Sequence, residues 1–201
     1  MSETRMPTQK RSIDKRNRII EKGFELMCKQ GYHKTNTSDI AEYAGVSTGI
    51  IYQYFNDKKE IFIEGIKNYS DSIMFPILDL ANNNEISFNN LEELLNTIID
   101  KLISAHKVSY TSHEEMMAMS HLDEETAEIF HQKEIEVTNK IVDVLKNNNI
   151  TPNHLYEKVH IIMNLIDNMC HEVVYHNHKS IDYSIMKQEV IKAIINILKN
   201  E

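Results

Sequence analysis

Several residues between positions 37 and 58 carry groups that suit contact with nucleic acid, at the spacing of a short helix and its flanks. Thr48 can donate or accept a hydrogen bond, Ile50 can touch a thymine methyl, and Gly49 between them allows close backbone approach. The N-terminal residues of a helix in the major groove meet base edges. The predicted DNA-contacting residues are Thr37, Ser47, Thr48, Gly49, Ile50, Tyr52, Gln53, Tyr54 and Lys58.

The phosphate backbone of DNA calls for a different set of groups. The Lys58 ammonium, the tyrosine hydroxyls and the backbone amides that follow Thr37 can each reach phosphate oxygens. Ordinary packing is the alternative for any one of them, because a tyrosine near a helix end is usually a half-buried aromatic. The combination indicates DNA binding more strongly than any single residue does.

Three short helical patterns must position these groups. Ile20, Phe24 and Met27 lie on one stripe of a helix predicted over 13–30, with Gly23 allowing close approach on that stripe. Thr37, as N-cap, begins a second helix at 37–44, and Ser47 caps a third at 48–54. Gly45 in the tight turn between them completes the dimensions of a helix-turn-helix over 37–55.

The rest of the chain also favours helices. It contains three prolines and five glycines, and it shows neither a hairpin turn signal nor a long alternating β-branched run. Asp57 and Glu60 predict a capping-box start for a fourth helix reaching about 80, and Thr151-Pro152 predict the start of a helix at 153–177. Further helices are expected at 88–110, 113–120, 123–148 and 183–199. The expected fold is all-α with about nine helices.

Charge is distributed unevenly along the chain. The formal net charge is −8, but residues 1–60 carry 11 basic against 8 acidic residues, a net of +3, and residues 61–201 carry a net of −11. A basic head on an acidic body can bind phosphate locally while the body resists non-specific binding. A basic surface without a partner explains the charge equally well.

The stretch TSDIAEYAGVSTGIIYQYF at 37–55, followed by Lys58 and Glu60, resembles the signature of the TetR/AcrR family of transcriptional regulators. The resemblance covers about 13–60. It implies a DNA-binding helix-turn-helix domain at 1–55, with a basic arm at 1–12, and a ligand-sensing and dimerisation domain at 56–201. It also implies a homodimeric repressor that leaves a palindromic operator when a small-molecule effector binds.

The body offers candidates for both expected roles. The helices at 153–177 and 183–199 carry apolar residues over arcs wide enough to pack inward and against a second subunit. The predicted dimer interface contains Ile166, Cys170, Val173, Val190, Ile194 and Ile197. Adaptable methionines and aromatics suit an apolar ligand, although such stripes are more often plain core. The predicted ligand-binding residues are Phe62, Ile66, Tyr69, Met117, Phe130, Met163 and Cys170.

Other functional classes receive little support from the sequence. No nucleophile elbow, phosphate-binding glycine loop or HExxH motif occurs, so an enzyme is not expected, and no cofactor is predicted. His171, His176 and His178 with Glu172 make metal binding conceivable, but their spacing does not put them on one helical face, and no metal site is predicted. No membrane association is expected, and the cytoplasm is the default location. The alternative function is a small-molecule or metal-binding helical protein with a vestigial DNA-binding head.

Overall fold

The computed structural model describes residues 7–82, 86–108, 110–176 and 178–199. Within these ranges the chain forms nine α-helices, one π-helical turn and no strand, which confirms the all-α prediction. No helix in the described ranges is long and apolar enough to cross a membrane. The elements are α1 Lys10–Gln30, α2 Thr37–Tyr43, α3 Thr48–Tyr54, α4 Lys58–Asn82, α5 Leu91–Val108, α6 Tyr110–Leu122, α7 Glu124–Asn147, α8 Leu155–His171, the π-helical turn Glu172–His176 and α9 Tyr183–Lys199.

The chain divides into two compact units. The first comprises Met1–Asp71 and Thr111–His131, and the second comprises Ser72–Tyr110 and Gln132–Glu201. Helices α4 and α7 each contribute residues to both units. The first unit therefore contains more than the predicted 1–55 head, because it includes the start of α4 and nearly all of α6. Residues 1–6 of the predicted basic arm lie outside the described residues.

The core of the first unit is packed tightly around two helical glycines. A Cβ placed on Gly23 of α1 would lie 2.7 Å from Cγ2 of Ile61 and 3.0 Å from Cγ2 of Ile40. A Cβ placed on Gly65 of α4 would lie 2.4 Å from the Phe24 ring. Neither position has room for a methyl group, so glycine lets α1 approach both α2 and α4 closely. The close approach predicted for Gly23 is confirmed.

The core of the second unit is made from α5, α7, α8 and α9. Its fully buried members include Ile99 of α5, Val159 of α8 and Ile194 of α9. Outside the core, the Lys187 ammonium lies 2.8 Å from an oxygen of Asp100 and joins α9 to α5. The apolar stripes of these helices thus pack on one another, as their helical spacing predicts.

One predicted helix start is wrong by about two residues. Helix α8 begins at Leu155 rather than at 153, and its N-cap is His154 with a φ of 55°. The Thr151-Pro152 pair instead lies in the connection, which also contains Asn149 at a φ of 59°. These two residues with left-handed backbone conformation change the direction of the chain after α7. The helix therefore starts later than the Thr151-Pro152 pattern predicts.

Candidate nucleic-acid interface

Helix α2 begins with a reciprocal capping box. Oδ1 of Asn36 accepts hydrogen bonds from the backbone N–H groups of Ser38 (2.9 Å) and Asp39 (3.0 Å). Oδ2 of Asp39 accepts one from the N–H of Asn36 at 2.9 Å. The N-cap is therefore Asn36 and not Thr37 as predicted, because its side chain satisfies the helix's first donors. Thr37 becomes the first helical residue and is half-buried.

The turn between α2 and α3 has the conformation that its glycine predicts. Gly45 has a φ of 64°, and the N–H of Val46 donates to the carbonyl of Ala41 at 2.9 Å. Arg18 of α1 donates from Nη2 to the carbonyl of Gly45 at 3.4 Å. This exposed arginine places a positive charge at the turn, a position that the predicted DNA-contacting set leaves out.

Helix α3 has one face packed inward and another that faces solvent. Ile51 is fully buried, and Phe55 at the C-cap is 1% exposed. Tyr52 is 54% exposed although it is a large aromatic residue. Six other predicted contact residues lie on α3 or at its N-cap. Ser47, Gly49 and Gln53 are exposed, and Thr48, Ile50 and Tyr54 are half-buried. Ile50 and Tyr54 also pack against the core of the first unit, and DNA contact by these residues stays a prediction.

Gly49 differs from the glycines of the core. The nearest atom to a Cβ built at this position is Oγ of Ser47, at 3.9 Å, so the protein itself has room for a side chain there. Gly49 is also helical, where glycine is less favourable than alanine by about 1 kcal/mol. Neither packing nor backbone conformation explains a glycine here.

Lys58 occupies a different position from the one that a phosphate contact suggests. Its Nζ donates to the carbonyls of Tyr32 at 2.6 Å and Thr35 at 2.7 Å, and it lies 4.3 Å from the centroid of the Tyr32 ring. Burial lowers the pKa of this lysine, although the charge of Asp39 opposes the shift. In this structure the ammonium holds the loop between α1 and α2.

Helix α6 contacts the loop before α2 and contributes to the core of the first unit. A carboxylate oxygen of Glu115 accepts a hydrogen bond from the backbone N–H of Tyr32. The buried side chains of Met116 and Met119 belong to the same core as Phe62. The ammonium of Lys59 lies 2.8 Å from carboxylate oxygens of both Asp123 and Glu125 at the start of α7. The loop before α2 is therefore held by α6 as well as by α4.

The second unit contains a cavity of about 210 Å³. Its walls come from α4, α5, α7, α8, α9 and the segment before α5, and they are almost entirely aliphatic. The ionisable residues lining it are His106, Asp167 and Cys170, and burial raises the pKa of the Cys170 thiol to about 12. The other lining residues are Leu78, Ile86, Leu91, Leu94, Leu95, Ile98, Leu102, Ile141, Val144, Leu145, Val159, Ile162, Met163, Ile166, Ile194 and Leu198.

The predicted ligand-binding residues are distributed between the two units. Met163 and Cys170 line the cavity of the second unit. The other five lie in the first unit, where Phe62 and Ile66 are fully buried in the core and Tyr69 and Phe130 pack against it. Met117 is half-buried on α6. His106 and Asp167 were absent from the predicted set, although a histidine in an apolar helical stripe is a signal that could have found His106.

The predicted dimer residues are mostly buried within the single chain. Ile166, Cys170, Val190 and Ile194 are at most 9% exposed and pack in the core of the second unit. Val173 and Ile197 are half-buried. The most exposed large apolar side chains of α8 and α9 are instead Ile161 and Ile185, at 55% and 57%.

The histidines near the end of α8 separate into two pairs. The rings of His176 and His178 stack with centroids 5.7 Å apart, and Nε2 of His178 lies 3.8 Å from a Glu172 oxygen. The ring of His171 lies 5.6 Å from that of His106 and 4.9 Å from that of Tyr175. His171 therefore faces the buried side of the unit, whereas His176 and His178 are exposed.

Residues 19–64 match the family model described as bacterial regulatory proteins, tetR family. This N-terminal segment therefore belongs to the TetR family. Over 59 residues it is 44% identical to the HTH-type transcriptional regulator HbdR of Aromatoleum sp., covering 29% of this chain and 26% of that protein. Over 49 residues it is 43% identical to the fatty acid metabolism regulator protein of Bacillus subtilis, covering 24% and 25%. The match thus spans about a quarter of the length of these two proteins.

Solved structures extend the likeness to the whole fold. A TetR-family regulator from Mesorhizobium loti superposes with a TM-score of 0.76 at 16% identity, over 94% of this chain and 98% of that one. The fatty acid degradation regulator FadR from Bacillus halodurans gives 0.69 at 19% identity, over 98% and 100%. At such identities the likeness concerns the fold, which is that of TetR-family regulators. All four of these proteins are described as regulators.

Proposed function

We propose that the protein is a ligand-responsive transcriptional repressor that acts as a homodimer on a palindromic operator. The observation that carries the proposal is the solvent-facing surface of α3, which combines an exposed Tyr52 with a Gly49 that no internal contact requires. A helix presented in this way fits the major groove. Two copies would read half-sites about 34–36 Å apart.

The contacts divide into base-reading and phosphate-binding groups. Thr48, Gly49 and Ile50 are proposed to face the bases, with Gln53 as a further reader. Ser47, Tyr52, Tyr54 and the amides after Thr37 are proposed to meet phosphates. The phosphate role expected for Lys58 would require its ammonium to leave the two carbonyls that it now bonds. We therefore propose that Lys58 supports the loop before α2, and that Arg18 supplies charge beside the turn.

Substitutions at Gly49 test DNA binding without disturbing the fold. Gly49→Ala should fold with equal or greater stability, because the added methyl meets open space and alanine favours a helix. Gly49→Leu should fold as well, but its side chain should hold α3 away from the groove. We expect operator affinity to fall modestly for alanine and at least tenfold for leucine, measured by fluorescence anisotropy on DNA upstream of the gene. Unchanged affinity in both variants would contradict the proposal.

The control for this test is Asn196→Ala, which alters an exposed residue of α9 in the second unit. It should leave operator affinity unchanged. A random duplex of equal length provides the second control. Binding to the operator should weaken as salt rises, with a slope of about −0.9 per phosphate neutralised.

Dimerisation is proposed to use the exposed apolar side chains of α8 and α9. Ile161 and Ile185 are the most exposed large apolar side chains of these two helices, and a second subunit is proposed to cover them. Val173 and Ile197 remain candidates at this interface, whereas Ile166, Cys170, Val190 and Ile194 would support it from the core. Ile161→Glu with Ile185→Glu should shift sedimentation from dimer to monomer, and Leu122→Glu, on α6, should not.

Ligand response is proposed to work by population shift. The cavity of the second unit is a receptor for a small apolar effector, and α4, which contributes residues to both units, is the proposed carrier of the change. A repressor acting on chromosomal DNA would work in the cytoplasm. The alternative, a small-molecule or metal-binding protein with a vestigial head, predicts that no variant of α3 changes the protein's behaviour.

A further inference from the structure

Three side chains of the second unit that can ligate a metal ion lie close together where α5 packs on α8. Asp167 and His171 are four residues apart on α8, a spacing that puts both on one face of the helix. Nε2 of His106, on α5, is 3.6 Å from Oδ1 of Asp167, and Nε2 of His171 is 3.7 Å from Oδ2 of the same carboxylate. A ring nitrogen of His106 also lies within 4.8 Å of one of His171. Two imidazoles and a carboxylate therefore converge on one small space.

The orientation of the His106 ring is fixed by the backbone of its own helix. Nδ1 lies 2.9 Å from the carbonyl oxygen of Leu102, and a carbonyl oxygen only accepts hydrogen bonds, so Nδ1 carries a proton. The lone pair of the neutral ring is then on Nε2, the atom that faces Asp167. Donation of the other ring N–H to a backbone carbonyl is the arrangement that orients histidine ligands in metal sites.

The distances within this group fit a shared cation better than direct hydrogen bonds. Charge-assisted N–H···O bonds are typically about 2.7–2.9 Å long, whereas the two separations here are 3.6 and 3.7 Å. A tetrahedral Zn²⁺ ion with nitrogen and oxygen ligands at about 2.0–2.2 Å keeps those ligands about 3.3–3.6 Å apart. Without a cation, the lone pair of a neutral His106 would face a carboxylate oxygen of Asp167, which also offers only lone pairs.

We propose that His106, Asp167 and His171 form a binding site for a divalent transition metal ion such as Zn²⁺. Imidazole nitrogens suit transition metals, whereas Ca²⁺ and Mg²⁺ prefer oxygen ligands alone. Three protein ligands leave a further coordination position for water. The Asp167 side chain is 60% exposed, so an ion can reach the group from solvent. The inference concerns metal binding alone and does not depend on the proposed repressor activity.

The helix changes its geometry directly after this group. The π-helical turn Glu172–His176 begins at the residue that follows His171, and such turns occur frequently at functional sites. The sequence pattern associates His171 with His176 and His178, but the structure places it beside His106 instead. The exposed rings of His176 and His178 stack on each other with centroids 5.7 Å apart. They form a separate histidine pair, which serves as a control.

The experiment measures Zn²⁺ binding to the full-length protein, freed of metal beforehand, by competition with a chromogenic chelator. The wild-type protein should bind one ion tightly per chain. Asp167→Asn and His171→Ala should each weaken binding by about 100-fold or more, because even outer-shell partners of metal ligands contribute about 10- to 100-fold. Asp143→Asn, which alters an exposed aspartate of α7, and the double variant His176→Ala with His178→Ala should keep the wild-type affinity.

Cobalt provides a second, spectroscopic measurement. Co²⁺ bound to the wild-type protein should show the visible bands of nitrogen and oxygen coordination, without the thiolate charge-transfer band that binding through Cys170 would add. His106→Leu should lose these bands, and if this buried substitution prevents folding, the exposed Asp167 still provides the test through Asp167→Asn.

Four results would each overturn the inference. The first is a wild-type protein that binds no Zn²⁺, which would mean that a proton joins His106 to Asp167. The second is binding that survives both Asp167→Asn and His171→Ala. The third is binding that is lost only in the double variant of His176 and His178, and the fourth is a thiolate band in the cobalt spectrum.

Discussion

The two units bury similar amounts of apolar sequence, but their cores are filled differently. In the first unit the ring of Phe62 lies 5.5 Å from that of Phe24 and 5.1 Å from that of Tyr32, and two glycines have no room for a methyl group. Among the described residues, the core of the second unit contains no phenylalanine or tyrosine ring and surrounds a cavity of about 210 Å³. Dense packing holds a recognition helix in one geometry. An aliphatic core that contains a cavity can accommodate a small apolar ligand.

The largest expected effect comes from removing a polar contact that holds the first unit. Lys58→Met leaves the carbonyls of Tyr32 and Thr35 without their ammonium donor. Hydrogen bonds to a charged group contribute about 1.5–3 kcal/mol each. We expect the free energy of unfolding to fall by about 3 kcal/mol in urea denaturation, with weaker operator binding because the loop before α2 loosens.

The neighbouring lysine is the matched control. Lys59 forms ion pairs with Asp123 and Glu125 near the surface, and such pairs contribute less than about 1 kcal/mol. Lys59→Met should therefore destabilise the protein far less than Lys58→Met. Equal losses in the two variants would show that the bonds of Lys58 to the loop carry no special weight. The tight geometry of the first unit would then depend on its apolar core alone.

The second prediction adds one methyl group to the dense core. The methyl of Gly65→Ala would lie 2.4 Å from the Phe24 ring, a rigid group with little room to move. Overpacking typically costs 1–3 kcal/mol, and the gain in helix propensity offsets about 1 kcal/mol. We expect a net loss of about 1–2 kcal/mol and a lower thermal midpoint. A variant as stable as the wild type would mean that the first core is not tighter than the second.

The third prediction makes the corresponding change in the other core. Val144 of α7 is buried and lines the cavity, so Val144→Ile adds a methylene group where space exists. Burying one methylene stabilises by about 0.8 kcal/mol when it meets no clash. We expect the free energy of unfolding in urea to stay equal or rise by up to that amount. A loss as large as that of Gly65→Ala would remove the contrast between the units.

Features that depend on residues nearby in the sequence are predicted correctly, whereas features that depend on distant residues are not. The bounds of α2 and α3 and the exposed face of α3 depend on neighbours within a few residues, and the sequence predicts them well. The role of Lys58 depends on carbonyls at 32 and 35, more than twenty positions away, and no local pattern indicates this pairing. Ser47 caps α3 by position, yet its side chain makes no capping hydrogen bond.

The wide apolar arcs of α8 and α9 leave the orientation of these helices undetermined by the sequence. Apolar residues spread over most of a helix indicate that it is buried, but they do not tell which side faces its own core. Ile166 and Ile194 face that core, whereas Ile161 and Ile185 face outward. The proximity of His106 to Asp167 could not be predicted for a related reason, since the two residues meet only when α5 and α8 pack together.

The smallest expected effect concerns the charge of Asp123, which contacts Lys59 and also caps α7. Oδ1 of Asp123 accepts hydrogen bonds from the N–H of Thr126 at 2.9 Å and from its hydroxyl at 2.8 Å. The bond from Lys59 and those from Thr126 lower the pKa of Asp123 to about 2. A carboxylate with a lowered pKa in the folded state stabilises above its ordinary pKa of 3.8, and loses that contribution as the pH falls through 2.

Asp123→Asn keeps a good cap and removes the charge. Because the pair is partly exposed, the variant should lose less than about 1 kcal/mol at neutral pH. The difference in thermal midpoint between the variant and the wild type should disappear as the pH falls from about 5 toward 2. If the difference does not depend on pH, the loss comes from the altered cap. The ion pair would then contribute nothing to the stability of the first unit.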